Sequence, residues 1–168
     1  EKKVQYLLLQ TAFSQSHHVR VLNQSIYREL LDKDSYDALI TVPSFGSRYS
    51  PEEAGRNFIT RDSECIAVET LIRHVGERGT LFAVLPAKVT FAGGPVQEFR
   101  QWIMTDYHLA AMTALPEGIL RPYAAIKTYL MAFDAKATTG VTVGKIVDEN
   151  GKLTVKHKHW VSEAEFRS

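Results

Sequence analysis

Two apolar runs, each stopped by a proline, constrain the fold of this chain more than any other feature. Tyr36-Asp37-Ala38-Leu39-Ile40-Thr41-Val42 ends at Pro43, and Thr80-Leu81-Phe82-Ala83-Val84-Leu85 ends at Pro86. Short apolar runs of this kind suit strands buried within a parallel sheet. Between them, Asp62 to Val75 carries Ile66, Val68, Leu71, Ile72 and Val75 at the spacing of an amphipathic helix, with Gly76 or Gly79 to close it. Strand, helix and strand in that order predict an α/β domain with a mainly parallel sheet. Ligands in such sheets bind at the carboxyl ends of the strands. Val42-Pro43-Ser44-Phe45-Gly46 lies at such an end.

The rest of the chain extends this plan. Val4 to Ala12 reads as a helix end, Val19 to Leu22 as a short strand, and Ile26 to Leu31 as a short helix or turn. Ser44 to Arg61 is polar, with Gly46, Pro51 and Gly55, and reads as a long loop with a helical turn after Ser50-Pro51-Glu52-Glu53. Loops this long in compact domains are usually functional. Gly93-Gly94-Pro95 breaks the chain before a helix over Val96 to Met104, whose Phe99, Trp102 and Ile103 face inward. Strands follow over Tyr107 to Leu115 and Ala125 to Asp134. Gly140 to His159 reads as a hairpin around Asp148-Glu149-Asn150-Gly151, because Asn-Gly is a strong turn signal. The last strands lack helices between them, which predicts an antiparallel edge.

Composition narrows the function classes. At 168 residues and 45% hydrophobic content, the chain suits one compact domain. Its formal charge of +1, from 20 basic and 19 acidic residues, gives no general electrostatic reason for nucleic-acid binding and leaves only local patches. The single cysteine, Cys65, allows neither an intramolecular disulfide nor a cysteine-based zinc site and fits a reducing cytoplasm. No apolar run has the length of a membrane span, and no signal peptide is visible. The chain starts at Glu1 rather than Met, so it is expected to be processed or cut from a longer protein.

Five segments in one order resemble the N6-adenine DNA methyltransferases, most closely the modification subunits of type I restriction systems. They are Tyr36 to Gly46; Glu77-Arg78-Gly79-Thr80 to Leu85-Pro86; Phe91-Ala92-Gly93-Gly94 to Arg100; Ala114-Leu115-Pro116-Glu117-Gly118; and Ile126-Lys127-Thr128-Tyr129-Leu130-Met131-Ala132-Phe133. The resemblance covers roughly Tyr6 to Lys136. It implies a partial Rossmann-like methyltransferase fold over residues 1–136, the later half of the domain, with 137–168 as a C-terminal hairpin extension. It also implies S-adenosylmethionine as donor, DNA as substrate, and specificity or restriction subunits as partners.

The resemblance assigns roles as well. In the family motif Asn-Pro-Pro-Phe-Gly, the Asn side chain and the first Pro carbonyl accept hydrogen bonds from the adenine amine, and the aromatic ring stacks on the flipped base. Here Pro43 and Phe45 carry over, Ser44 replaces the second Pro, and Val42 replaces the Asn. Valine accepts no hydrogen bond, and losing such a group costs on the order of 3 kcal/mol, about a hundredfold in rate. Gln24 (or, less well placed, Asn23) stands where the family has an acidic residue for the donor adenine. The Gly-rich donor loop belongs upstream of Glu1, and Gly93-Gly94 follows the wrong strand to replace it. A catalytically inactive module for DNA binding or subunit assembly is the alternative reading.

The absent segment has a structural implication. In the family, the first two strands lie between the third and the fourth, so their loss leaves Ala38 to Val42 with an unpaired edge. Such edges seek partners. The expectations are completion by an upstream segment or a partner, self-association, or Val19 to Leu22 crossing to pair with it.

Other residues carry weaker signals. His17 and His18 read as a polar loop, and His157 and His159, with Lys152, Lys156 and Lys158 nearby, as a solvated hairpin; no metal site is expected. Trp160 reads as a cap on the core. Cys65 reads as a small buried hydrophobe. Arg48, Arg56 and Arg61 stand in the long loop as either phosphate contacts or solvated side chains.

Overall fold

The computed structural model describes residues 2–19, 21–27, 35–50, 52, 57–116, 118–136, 140–149 and 152–161. Its elements are α1 (Lys2–Ala12), β1 (Tyr36–Thr41), α2 (Ser63–Ile72), β2 (Val75–Pro86), α3 (Lys88–Phe91), α4 (Pro95–Asp106), β3 (His108–Ala114), β4 (Thr128–Asp134), β5 (Val141–Glu149) and β6 (Lys152–Val161). The strands form one six-stranded sheet in the order β1-β2-β4-β3-β5-β6. β1 pairs parallel with β2, and β3 with β5; the β2–β4, β4–β3 and β5–β6 pairs are antiparallel. Four strands therefore run one way. β6 forms an antiparallel edge, and β4 runs against its neighbours inside the sheet. A loop without a helix joins β3 to β4, so the chain reverses direction there.

The helices that build the core lie on one face. Cys65, Val68, Leu71 and Ile72 of α2 and Phe99, Ile103 and Met104 of α4 pack on Leu81, Ala83 and Leu85 of β2 and on Met131 and Phe133 of β4. The alternate residues of β1 and β2 point to the other face. There Phe82 and Val84 are half-buried, while Ile40 at the sheet edge is 78% exposed. α1 leaves Leu7, Leu8 and Leu9 exposed.

Three expectations change. The helix predicted over Asp62 to Val75 is not amphipathic, since all ten residues of α2 are buried. The sheet takes one side of it and the chain from Pro43 to Arg61 covers another. α2 also ends at Arg73, in αR conformation, rather than at a glycine. Gly76 and Gly79 instead belong to β2, where the register against β1 slips between Tyr36 and Ala38. A side chain at Gly79 would collide with the Tyr36 carbonyl oxygen, so the bulge requires glycine there.

Finally, the described residues from Val19 to Leu22 form no strand. Their β-branched composition alone supplies no ladder, and they do not pair with β1. β1 stands at the edge of the sheet, as expected for Ala38 to Val42.

Candidate functional site

The site is built at the carboxyl end of β1. Pro43 is buried, Phe45 is half-buried, and Val42 is 57% exposed. Gly46 takes φ +75, a left-handed conformation that turns the chain back over α2. The first turn of α2 then clamps the turn. Ser63 Oγ donates to the Ser44 carbonyl at 2.6 Å, and Ser63 N–H donates to the Ser47 carbonyl at 2.9 Å. Glu64 Oε2 accepts from Gly46 N–H at 3.4 Å and from Ser63 Oγ at 3.1 Å.

Glu64 is fully buried, and burial of a carboxylate is costly without a counter-charge. Lys88, at the start of α3, supplies it: Nζ lies 2.6 Å from Glu64 Oε1 and 3.2 Å from Asp62 Oδ2. Desolvation pulls the Lys88 pKa down. The hydrogen bonds and charges of Glu64 and Asp62 outweigh it and hold the ammonium above its ordinary range. Arg48 Nε approaches Asp62 Oδ1 at 3.5 Å from the solvent side.

A second buried carboxylate anchors the far end of the loop. Glu69 accepts from Ile59 N–H at 3.1 Å and pairs with Arg73 at 3.2 Å. Arg73 in turn lies 5.6 Å from the Trp102 ring centroid. The loop closes on itself where Arg48 and Asp62 form an antiparallel bridge and Tyr49 N–H donates to the Arg61 carbonyl at 2.9 Å.

The segment carrying Gln24 reaches the same place. Gln24 and Asn23 are exposed in irregular chain. Tyr27, three residues beyond Gln24, stacks on Tyr49 with ring centroids 4.7 Å apart, and its hydroxyl lies 3.2 Å from Ser44 Oγ. The fold thus gathers the Gln24 segment, the Pro43–Gly46 turn and the long loop.

Other candidates are placed elsewhere. His17 and His18 are exposed after α1. Arg56 and the side chains of Lys152, Lys156, His157, Lys158, His159 and Trp160 lie outside the described residues. Gly94 takes φ +62 and precedes Pro95 at the first position of α4. That arrangement starts a helix in the usual way. Cys65 is buried, and desolvation first, then nearby Glu64 and Asp62 against a Thr60 hydrogen bond and Lys88, leave its thiol pushed up to about 12. It is no nucleophile at neutral pH.

Sequence reading missed Ser63, Glu64, Glu69 and Lys88. The available signal was a pair of acids inside an otherwise apolar helical window, which read as a solvated face. Two cavities flank the site. One of about 300 Å³ opens beside the loop and is lined in part by Arg48, Tyr49, Asn57, Phe58, Arg61 and Pro95. One of about 480 Å³ lies against α4 and the sheet, with Val89, Gln97, Met104, Leu109 and Met131 in its wall. Neither includes Gln24, Val42, Pro43 or Phe45.

Comparison with known proteins adds an independent line. A family model described as N-6 DNA Methylase matches residues 7–165. The methylase subunit of the type I restriction enzyme EcoEI from Escherichia coli is 28% identical over 145 residues, covering 79% of this chain and 29% of that one. A structure assigned as a modification subunit of a type I restriction enzyme from Vibrio vulnificus YJ016 gives a TM-score of 0.75 at 22% identity, covering 89% of this chain and 34% of that one. A structure assigned as a class I S-adenosylmethionine-dependent methyltransferase from Listeria monocytogenes gives 0.55 at 20% identity, over 71% and 39% of the two chains. The structural likenesses establish a shared fold. This chain spans roughly a third of the length of the relatives it matches.

Proposed function

Because the chain belongs to the N-6 DNA methylase family and shares its fold with class I methyltransferases, we propose that it forms the base-binding, later half of an adenine-specific DNA methyltransferase domain of the type I modification class. Residues 1–136 make up that half, and 137–168 are its hairpin extension. The observation that carries the reading is the Pro43–Gly46 turn. It stands at the carboxyl end of β1 and is fixed by Ser63 and Glu64 from the first turn of α2.

In this reading the Pro43 carbonyl accepts a hydrogen bond from the target amine, and the Phe45 ring stacks on the extruded base. Ser63 and Glu64 act through the backbone. They hold the turn so that the Pro43 carbonyl and the Phe45 ring keep their relative positions without a cost at the moment of binding. DNA is the substrate, specificity or restriction subunits are the partners, and the cytoplasm is the setting.

The described residues do not by themselves fit S-adenosylmethionine. Gln24 and Val42 are both exposed, and neither flanking cavity includes them. Gln24 is the one proposed donor contact, and donor binding is assigned to an upstream segment joined to this one. No step of the reaction is therefore derived through the donor.

Val42 favours a second reading, a methyltransferase-like module retained for DNA binding or assembly without catalysis. Its side chain is 57% exposed where the family motif has an amide, and it offers no acceptor. Calorimetry with S-adenosylmethionine, on this chain and on any longer natural chain containing it, separates the two. Binding to the longer chain, with methylation gained on Val42→Asn, supports the first reading. Absence of binding to both supports the second.

A further inference from the structure

The loop from Leu115 to Lys127 is built like a presented surface. Its neck is closed by Leu115 N–H donating to the Thr128 carbonyl at 3.0 Å, and successive turns stiffen it: Ile119 to Pro116, Arg121 to Gly118 and Ala124 to Leu120, at 3.3, 2.9 and 3.0 Å. Compact loops of this length, tied by their own contacts, are frequently functional. Gly118 takes φ +75, and the Arg121 side chain lies across it, so that a Cβ there would stand 3.0 Å from Arg121 Nε. Tyr123 is 93% exposed. An ordered loop that holds an aromatic ring almost wholly in water leaves both of its faces available.

The charges beside that ring are of one sign. Arg121 and Lys127 are both exposed, and among the described residues neither forms an ion pair; Glu117 lies outside them. Lys127 Nζ sits 5.4 Å from the Tyr129 ring centroid, which places it over the loop's base. The acids nearest along the sheet edge, Asp62 and Glu64, are already paired with Lys88.

The loop also stands on the same edge of the sheet as the Pro43–Gly46 turn. β3 and β1 run in the same direction, and Ala87 N–H, at the end of β2, donates to the Lys127 carbonyl at 2.9 Å. β4 starts two strands from β1, which is about 10 Å at the usual inter-strand spacing. That is roughly three base steps of stacked DNA.

We infer that this loop is a second nucleic-acid contact, in which Tyr123 stacks on a base of the strand that carries the target and Arg121 and Lys127 meet its phosphates. The inference rests on the DNA reading above and adds where the strand runs after it leaves the Pro43–Gly46 turn. Aromatic stacking tolerates any base, so this contact contributes affinity and path rather than sequence choice.

The test is fluorescence anisotropy of a labelled single-stranded 20-mer and its duplex, titrated with the chain at several salt concentrations. Tyr123→Ala should weaken single-strand binding by roughly five- to a hundredfold, while Tyr123→Phe stays near the parent. The Arg121→Gln, Lys127→Gln pair should lower the salt slope by about one to two units. The Arg48→Gln, Arg61→Gln pair serves as comparator, and thermal melts check that each variant folds. Loop variants that bind like the parent, while the comparator weakens binding, overturn this inference and leave the DNA reading standing. A parent chain that binds neither the single strand nor the duplex overturns both.

Discussion

Removing the Lys88 ammonium should destabilise the fold more than removing the Glu64 charge, although the two form one ion pair. Glu64 has no access to water, whereas the Lys88 side chain is 37% exposed. In Lys88→Met the buried carboxylate keeps only the Gly46 N–H, at 3.4 Å, and the Ser63 hydroxyl, at 3.1 Å. Breaking a buried pair in this way costs about 3–5 kcal/mol, and those two bonds argue for the low end, about 3 kcal/mol. In Glu64→Gln, by contrast, the cation keeps Asp62 at 3.2 Å and its water. The loss there is that of a largely screened pair, about 1 kcal/mol. For a chain of this size the two variants should lower Tm by about 6–12 °C and 2–4 °C respectively. The assay is urea unfolding, read as a shift in midpoint at constant slope. The double variant should cost less than Lys88→Met alone, because no charge is then left stranded. A Glu64→Gln variant as unstable as Lys88→Met, or a double variant worse than either, would refute the reasoning.

Other outcomes follow from the same contacts. Cys65 should not react with a thiol reagent at pH 8 in the folded chain and should react at once in denaturant, since its pKa stands at about 12 against an ordinary 9.0. Both Cys65 and Lys88 have raised values when folded, so each contributes stability that is complete below its unfolded value and lost as pH rises through the folded one. Stability should therefore begin to fall above about pH 9, Lys88 joining above 10.5, and the Cys65→Ala chain should lose the earlier part of that decline in pH-dependent urea melts. Gly79→Ala forces a methyl group into the Tyr36 carbonyl and should cost about 1–3 kcal/mol or more, with the loss of hydrogen-exchange protection centred on β1. In a chain that binds the donor, Val42→Asn should raise methylation about a hundredfold; an unchanged rate would remove residue 42 from the base-binding scheme.

The parts of this fold that were legible are those where local pattern and burial agree. Tyr36 to Val42 and Leu81 to Leu85 are apolar because both lie in the sheet, and their prolines mark where each ladder stops. Val75 to Gly79 was not legible, because Gly76, Glu77, Arg78 and Gly79 have the composition of a turn. They extend β2 only because β1 lies alongside and a bulge absorbs the slip. Val19 to Leu22 shows the converse: β-branched residues with no ladder to join do not become a strand.

The site divides in the same way. Pro43 to Gly46 was visible as a motif on a strand end. The contacts that hold it were not, since Glu64 and Glu69 carry helix-surface chemistry and become interior only when the loop folds over them. Nothing local in the sequence records that event.

β1 carries the motif at its tip and has a single neighbour, so half of its backbone amides face solvent. A strand held by one ladder opens at its ends more readily than one held by two, and its local opening free energy is lower. Each such opening carries Val42 to Gly46 with it, against the restraint of Ser63 and Glu64. Whatever docks along the free edge would slow that breathing and so narrow the range of positions that Pro43 and Phe45 visit. Occupancy of the edge and readiness of the turn are then two readouts of one equilibrium, and amide exchange at Thr41 to Gly46 would report a neighbour that never touches them.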